Sequence, residues 1–151
     1  MKKKIVLIAS LAIVCITASI IAHKHDFILP EKAEKVSFNK PTEVREFPKG
    51  KVELVQIGGA MIGRAIFQPG WRWSTSVKDI AKTESCEIPH YQYHVSGTLK
   101  VIMDDGTEFI CKPGDVSLLP KGHDAWVVGN EPVVLVDFQG MVDYAKSNMH
   151  K

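Results

Sequence analysis

The sequence predicts an all-β domain behind an N-terminal apolar segment, and three observations carry that prediction. Short runs rich in β-branched and aromatic residues recur between Gly, Pro and Asp punctuation, the pattern of a sandwich or barrel. Asp105-Gly106 stands between two of those runs, and Asp-Gly tolerates the positive φ angles that a two-residue hairpin turn demands. Helical periodicity is missing from the same region, with residues 142–148 the one stretch that carries it.

At the N-terminus, Met1 is followed by Lys2, Lys3 and Lys4 and then by an uncharged, mostly apolar run over residues 5–22, the charged start and apolar middle of an export signal. At 18 residues the run falls between a signal-peptide core of about 7 to 15 and a membrane span of about 20. Residues 1–22 are therefore a cleaved signal peptide or an uncleaved anchor helix. In either case the lysines stay on the cytoplasmic side and the domain is exported to the cell envelope, anchored there or released as a periplasmic or extracellular protein. Removing residues 1–22 takes away three lysines and no acids, so the formal charge falls from +2 to −1. A near-neutral domain gives no electrostatic reason to expect nucleic acid. Residues 23–40 are mixed and unpatterned, as a tether is, residues 41–140 carry the β-domain and residues 141–151 form a C-terminal tail.

Eight strands are expected, at 52–57, 61–67, 91–95, 99–103, 108–111, 116–119, 125–128 and 133–138. So many strands cannot leave their edges unpaired in water, so they close up or stack face to face. In the stretch Pro89-His90-Tyr91-Gln92-Tyr93-His94-Val95, alternation puts His90, Gln92 and His94 on one face and Tyr91, Tyr93 and Val95 on the other. Two imidazoles and an amide on one face point at a metal, a polar ligand or water. Cys86 and Cys111 are the cysteines of the exported part; they pair in an oxidising compartment, or they are a loop thiol and a small buried strand residue.

The stretch Lys112-Pro113-Gly114-Asp115-Val116-Ser117-Leu118-Leu119-Pro120-Lys121-Gly122-His123 resembles the second motif of the cupins, small jelly-roll β-barrels, with Gly114, Pro120 and Gly122 at the motif spacing. Gly70 and Gly97 match the glycines of the first motif. Gly70-Trp71-Arg72-Trp73-Ser74, Met103-Asp104-Asp105-Gly106-Thr107-Glu108-Phe109 and Gly122-His123-Asp124-Ala125-Trp126-Val127-Val128-Gly129 are similar to a group of small single-domain bacterial cupins. The resemblance implies a single jelly-roll barrel. The three His slots and the Glu slot of the cupin metal site fall on Ser76, Lys78, Ala125 and His90, so none of the usual four ligands is in place.

His90 and His123, both expected to face inward, remain as a pair that could share an ion, with Cys86 offering a sulfur. Gln92, about 6.6 Å along the strand from His90, is within reach, and His94, about 13 Å away, is not. Such a set suits one divalent transition metal, zinc, iron or copper. Strand parity carried back from Ser76 points Arg72, Ser74, Ser76 and Lys78 inward and Trp71 and Trp73 outward; a single bulge reverses that assignment. An inward Arg72 and Lys78 suit an anionic ligand, whereas Arg72 paired with a neighbouring acid would be a rim contact. Tyr91, Tyr93, Trp71, Trp73 and Trp126 then form an outward aromatic surface, and the resemblance implies a homodimer.

Three functions follow. The favoured one is an exported domain that binds a small polar or anionic molecule through His90, Gln92, His123, Arg72, Lys78 and Ser76. The alternatives are a metal-dependent cupin enzyme acting on a small-molecule substrate, with the ion on His90, His123 and Cys86, and an interaction module displayed on the envelope.

Overall fold

The computed structural model describes residues 32–146. The apolar segment 1–22, the first half of the tether and residues 147–151 lie outside the described residues, and with them the expectations of export and anchoring. No helix among the described residues is long and apolar enough to cross a membrane.

Among the described residues nine strands form two sheets: β1 (Glu43–Phe47), β2 (Gly50–Ile57), β3 (Ala60–Phe67), β4 (His90–Ser96), β5 (Thr98–Met103), β6 (Glu108–Cys111), β7 (Val116–Leu119), β8 (His123–Val128) and β9 (Val133–Asp137). One sheet runs β1-β2-β3-β9-β4-β7 and the other β6-β5-β8, with every pairing antiparallel. The eight expected strands are all present to within a residue or two. The ninth, β1, is a polar edge strand whose side chains are mostly exposed; it is held by its ladder to β2 and offers no apolar alternation for a sequence reading to find.

The core lies between the sheets. Val52 and Leu54 from β2, Ala65 and Phe67 from β3, Val133 and Leu135 from β9, and Leu99, Val101, Ala125 and Val127 from β5 and β8 are all buried. Along β4 the alternation is strict: His90, Gln92 and His94 are buried, Tyr91, Tyr93 and Val95 exposed. The segment between β3 and β4 departs from the expected parity. It winds into two four-residue helical turns, α1 (Trp73–Ser76) and α2 (Lys78–Ala81), so counting alternate residues back from Ser76 fails there. Trp71 and Trp73 are buried and the Arg72 side chain is half exposed, the reverse of the strand-based expectation.

Residues 141–145 form turns rather than the expected helix and lie across the end of the sandwich. Met141 and Tyr144 are buried in the core. Arg45 of β1 clasps this strap, its guanidinium donating to the carbonyls of Met141 (3.0 Å), Tyr144 (2.5 Å) and Val142 (2.8 Å). Gly140, where the strap begins, passes so close to β4 that a Cβ there would lie 2.5 Å from Nδ1 of His90, so only glycine fits.

Candidate metal centre

Three elements bring three donor atoms together. His90 opens β4, His123 opens β8, and Cys86 lies in the loop ahead of β4, tied to β8 by a bridge in which Cys86 N–H donates to the His123 carbonyl (2.8 Å) and Gly122 N–H to the Cys86 carbonyl (2.7 Å). Cys86, His90 and His123 are all buried, and one ligand atom from each lies within 4.8 Å of the other two.

Hydrogen bonds fix which atoms face one another. Asp137, wholly buried at the end of β9, accepts from His90 Nδ1 (2.5 Å) and Gln92 Nε2 (3.2 Å) with Oδ2, and from the backbone N–H groups of Gln139 (2.8 Å) and Gly140 (2.7 Å) with Oδ1. Burial raises the Asp137 pKa, but the hydrogen bond and charge of His90 and the two amides outweigh it, so the carboxyl lies below its ordinary value. A carboxylate only accepts, so the neutral form of His90 carries its proton on Nδ1 and turns the Nε2 lone pair toward Cys86 Sγ, 3.6 Å away. His123 Nδ1 donates to the Pro120 carbonyl (2.8 Å), which leaves its Nε2 lone pair free as well. Burial, and then the neighbouring His90, lower the His123 pKa to about 4, and burial pushes the Cys86 thiol up to about 12.

The donor set fits a transition metal. Bonds of about 2.3 Å to sulfur and about 2.0–2.1 Å to nitrogen at a tetrahedral ion place those two atoms about 3.6 Å apart, which is the observed Cys86–His90 separation. The carboxylate behind His90 is the usual orienting partner of a metal-bound imidazole. An ion would convert the thiol to thiolate and would take up the Nε2 lone pairs of both imidazoles.

His90 and His123 also wall a cavity, together with Phe67, Trp71, Trp73, Gln92, Met141 and Tyr144. It offers ≈ 20 Å³ to the centres of water molecules, room for one or two waters. A larger depression of ≈ 490 Å³, beside Glu87, Asp104 and Asp105, is open to solvent and contains none of the three donors.

Arg72, Lys78 and Ser76 do not line the cavity. Arg72 Nε pairs with Asp124 Oδ2 (2.6 Å) and its guanidinium lies over the Trp126 ring; Lys78 pairs with Glu84 (2.5 Å) on the surface; Ser76 is buried in α1, away from the cavity. The anionic-ligand expectation loses its cations, because the α1 turn rotates them out and brings Trp71 and Trp73 in. His94 is buried and satisfied by Ser117 Oγ (2.9 Å), apart from the cluster. Cys86 and Cys111 are both free thiols. Asp137, Met141 and Tyr144 escaped the sequence reading. Asp137 had a signal: a lone acid at the inward parity of Val133 and Leu135.

No family model matches the chain and no curated protein does. Among solved structures it is similar to a protein of unknown function from Rhizobium leguminosarum (19% identity, 72% of this chain and 97% of that one, TM-score 0.49). It is also similar to a sugar phosphate isomerase from the cupin superfamily of Silicibacter pomeroyi (16%, 69% and 73%, 0.49) and to a cupin-like protein of Thermotoga maritima (16%, 62% and 69%, 0.44). The deciding features are in the chain itself: two antiparallel sheets in jelly-roll stacking, with Gly70, Gly97, Gly114 and Gly122 of both motifs all at left-handed turns. This is a cupin fold. Gly97 shows why the motif needs glycine, since a Cβ there would meet the Pro132 carbonyl at 2.5 Å. Within the cupin frame the donors have moved. His90 occupies the Glu slot, the last His slot holds Ala125, a cavity wall, and Cys86 and His123 enter from positions the cupin pattern does not use.

Proposed function

We propose that the chain is a metal-binding cupin that holds one transition ion on Cys86 Sγ, His90 Nε2 and His123 Nε2. The observation that carries this reading is the convergence of three buried donors within 4.8 Å of one another, two with lone pairs aimed by Asp137 and Pro120, with Cys86 Sγ and His90 Nε2 3.6 Å apart as a tetrahedral ion requires. Two nitrogens and one sulfur favour zinc among the divalent ions. Three protein ligands leave one position open, where an ion polarises or activates a small ligand. Asp137 holds the His90 tautomer, Gln92 is fixed by the same carboxylate, and Trp71, Trp73, Met141 and Tyr144 keep bulk water out. The favoured function from sequence, a cup for a small polar molecule, is narrowed by the cavity, because ligand pockets usually run to about 300–1,000 Å³ against the ≈ 20 Å³ here.

A second reading rests on the same contacts: Cys86, His90 and Asp137 stand in the order of a nucleophile, base and orienting acid. The thiol held near 12 and the small size of the cavity weigh against it. Rapid alkylation of Cys86 by iodoacetamide in the metal-free full chain would favour the nucleophile; protection of Cys86 by added zinc favours the ion.

In this reading the domain works in the cell envelope, exported by residues 1–22, and a second copy covers an exposed apolar face. Tyr91, Tyr93 and Val95 of β4, Val116 and Leu118 of the edge strand β7, and Phe138 form that face, with Tyr91 opposite Leu118 and Tyr93 opposite Val116. Of the five aromatics expected there, Trp71 and Trp73 are in the core and Trp126 belongs to the other sheet.

A further inference from the structure

Among the described residues, three buried side-chain polar atoms have no hydrogen-bond partner: Trp71 Nε1, Gln92 Oε1 and Tyr144 Oη. All three residues line the one cavity that His90 and His123 also line. An unmet buried donor or acceptor costs about 1–3 kcal/mol, so three of them around one small space are the imprint of an occupant. Their chemistry constrains it. Trp71 Nε1 only donates and requires an acceptor. Gln92 turns its amide nitrogen to Asp137 Oδ2, which only accepts, so its Oε1 is the end left over and requires a donor. Tyr144 Oη does either, and as burial holds its pKa well above the ordinary value it stays a neutral hydroxyl.

We propose that the cavity beside the ion takes a hydroxylic ligand of one or two non-hydrogen atoms, accepting from Trp71 Nε1 and donating to Gln92 Oε1, with Tyr144 Oη as the third contact. This rests on the metal-binding reading and names the ligand class of the same site. The size follows from the volume, since ≈ 20 Å³ open to water centres is one or two waters' worth. Acceptor-only molecules leave Gln92 unmet, and carboxylates, sugars and phosphates do not fit. The strap sets this limit, because Met141 and Tyr144 form part of the wall and Arg45 holds the backbone carbonyls of both.

The test uses the full chain in mild detergent, loaded with cobalt(II), whose visible spectrum responds to a change of ligand. Hydroxylamine, with two non-hydrogen atoms and both donor and acceptor character, is the probe; acetate and imidazole are the oversized controls. The expected result is a saturable band shift with hydroxylamine and none with the controls, and about five- to tenfold weaker hydroxylamine binding in Tyr144→Phe and Trp71→Phe, the loss of one hydrogen bond each. Tyr144→Phe removes a single oxygen, and an unaltered starting cobalt spectrum reports that its site is intact. Absence of a Cys86-dependent cobalt band in the unsubstituted chain sinks the metal reading and this inference with it. A band that hydroxylamine does not move, that it moves in both variants as readily as in the unsubstituted chain, or that acetate moves as well overturns the ligand inference and leaves the metal reading standing.

Discussion

Asp137 acts on the candidate centre through other residues, by holding the His90 tautomer and the Gln92 amide with one oxygen. Orienting carboxylates of this kind are worth about 10- to 100-fold in metal affinity, so Asp137→Asn is expected to weaken zinc binding by that factor in a competition titration against a chromophoric chelator. Cys86→Ser, which removes a ligand outright, is expected to weaken it further. His123 adds a pH dependence. Its pKa falls from the ordinary 6.5 to about 4 on folding, chiefly through burial, so the unfolded chain takes up a proton first as pH falls. The stability contributed by neutral His123 is present above 6.5 and is lost as pH falls toward 4, by about 3 kcal/mol at 1.4 kcal/mol per pH unit. His94, whose pKa is also lowered by burial, acts in the same direction. Urea midpoints of the metal-free chain are expected to drop between pH 7 and pH 4.5, and to drop less in His123→Gln; a flat profile contradicts the assigned burial. Of these residues, His90, Gln92 and His94 were legible in the sequence, because a two-residue period is all their placement needs. Asp137 was not: its partner is 47 residues away, and only the inward parity of β9 hints at it.

At the scale of elements, strands read well and the segment between β3 and β4 did not. Residues 52–57, 61–67 and 133–138 alternate or run apolar, and burial between two sheets is the force that selects such patterns. Residues 71–81 combine two tryptophans with Arg, Ser and Lys, and two short helical turns beat extended parity because they bury both indoles, Trp71 stacked on Phe67 at 3.8 Å between ring centroids. Arg72 then follows the indoles' choice and is left outside with Asp124. The strap carries a prediction. Arg45 makes three charged hydrogen bonds to it with a side chain 10% exposed, so Arg45→Ala is expected to cost about 2–4 kcal/mol in urea unfolding and to open the cavity to molecules larger than two atoms, read as a cobalt band that now moves with imidazole. A loss under about 0.5 kcal/mol would mean that the clasp does not hold the strap.

At the scale of the molecule, the cupin fold was legible through glycine spacing and turn signals, but the fold does not fix the chemistry. Three of the four usual ligand slots are occupied by Ser76, Lys78 and Ala125; His90 at the start of β4 fills the fourth, and the donors that join it come from a loop and the start of β8. Sequence offered Cys86 only as a candidate, since its bridge to His123 is a backbone contact between a loop and a strand far apart in the chain. The proposed second copy has its own check. Leu118 and Val116 are 69% and 62% exposed on an edge strand, and such patches are normally covered. Sedimentation of the full chain in detergent is expected to give a dimer that Leu118→Glu with Tyr93→Glu converts to a monomer; a monomeric unsubstituted chain would sink the proposal. The central claim is tested most directly by elemental mass spectrometry of the full chain, purified without chelators, beside its Cys86→Ser and His90→Ala variants. The account predicts close to one transition-metal ion per chain, lost in both variants; a chain without metal, or metal retained after either substitution, would contradict it.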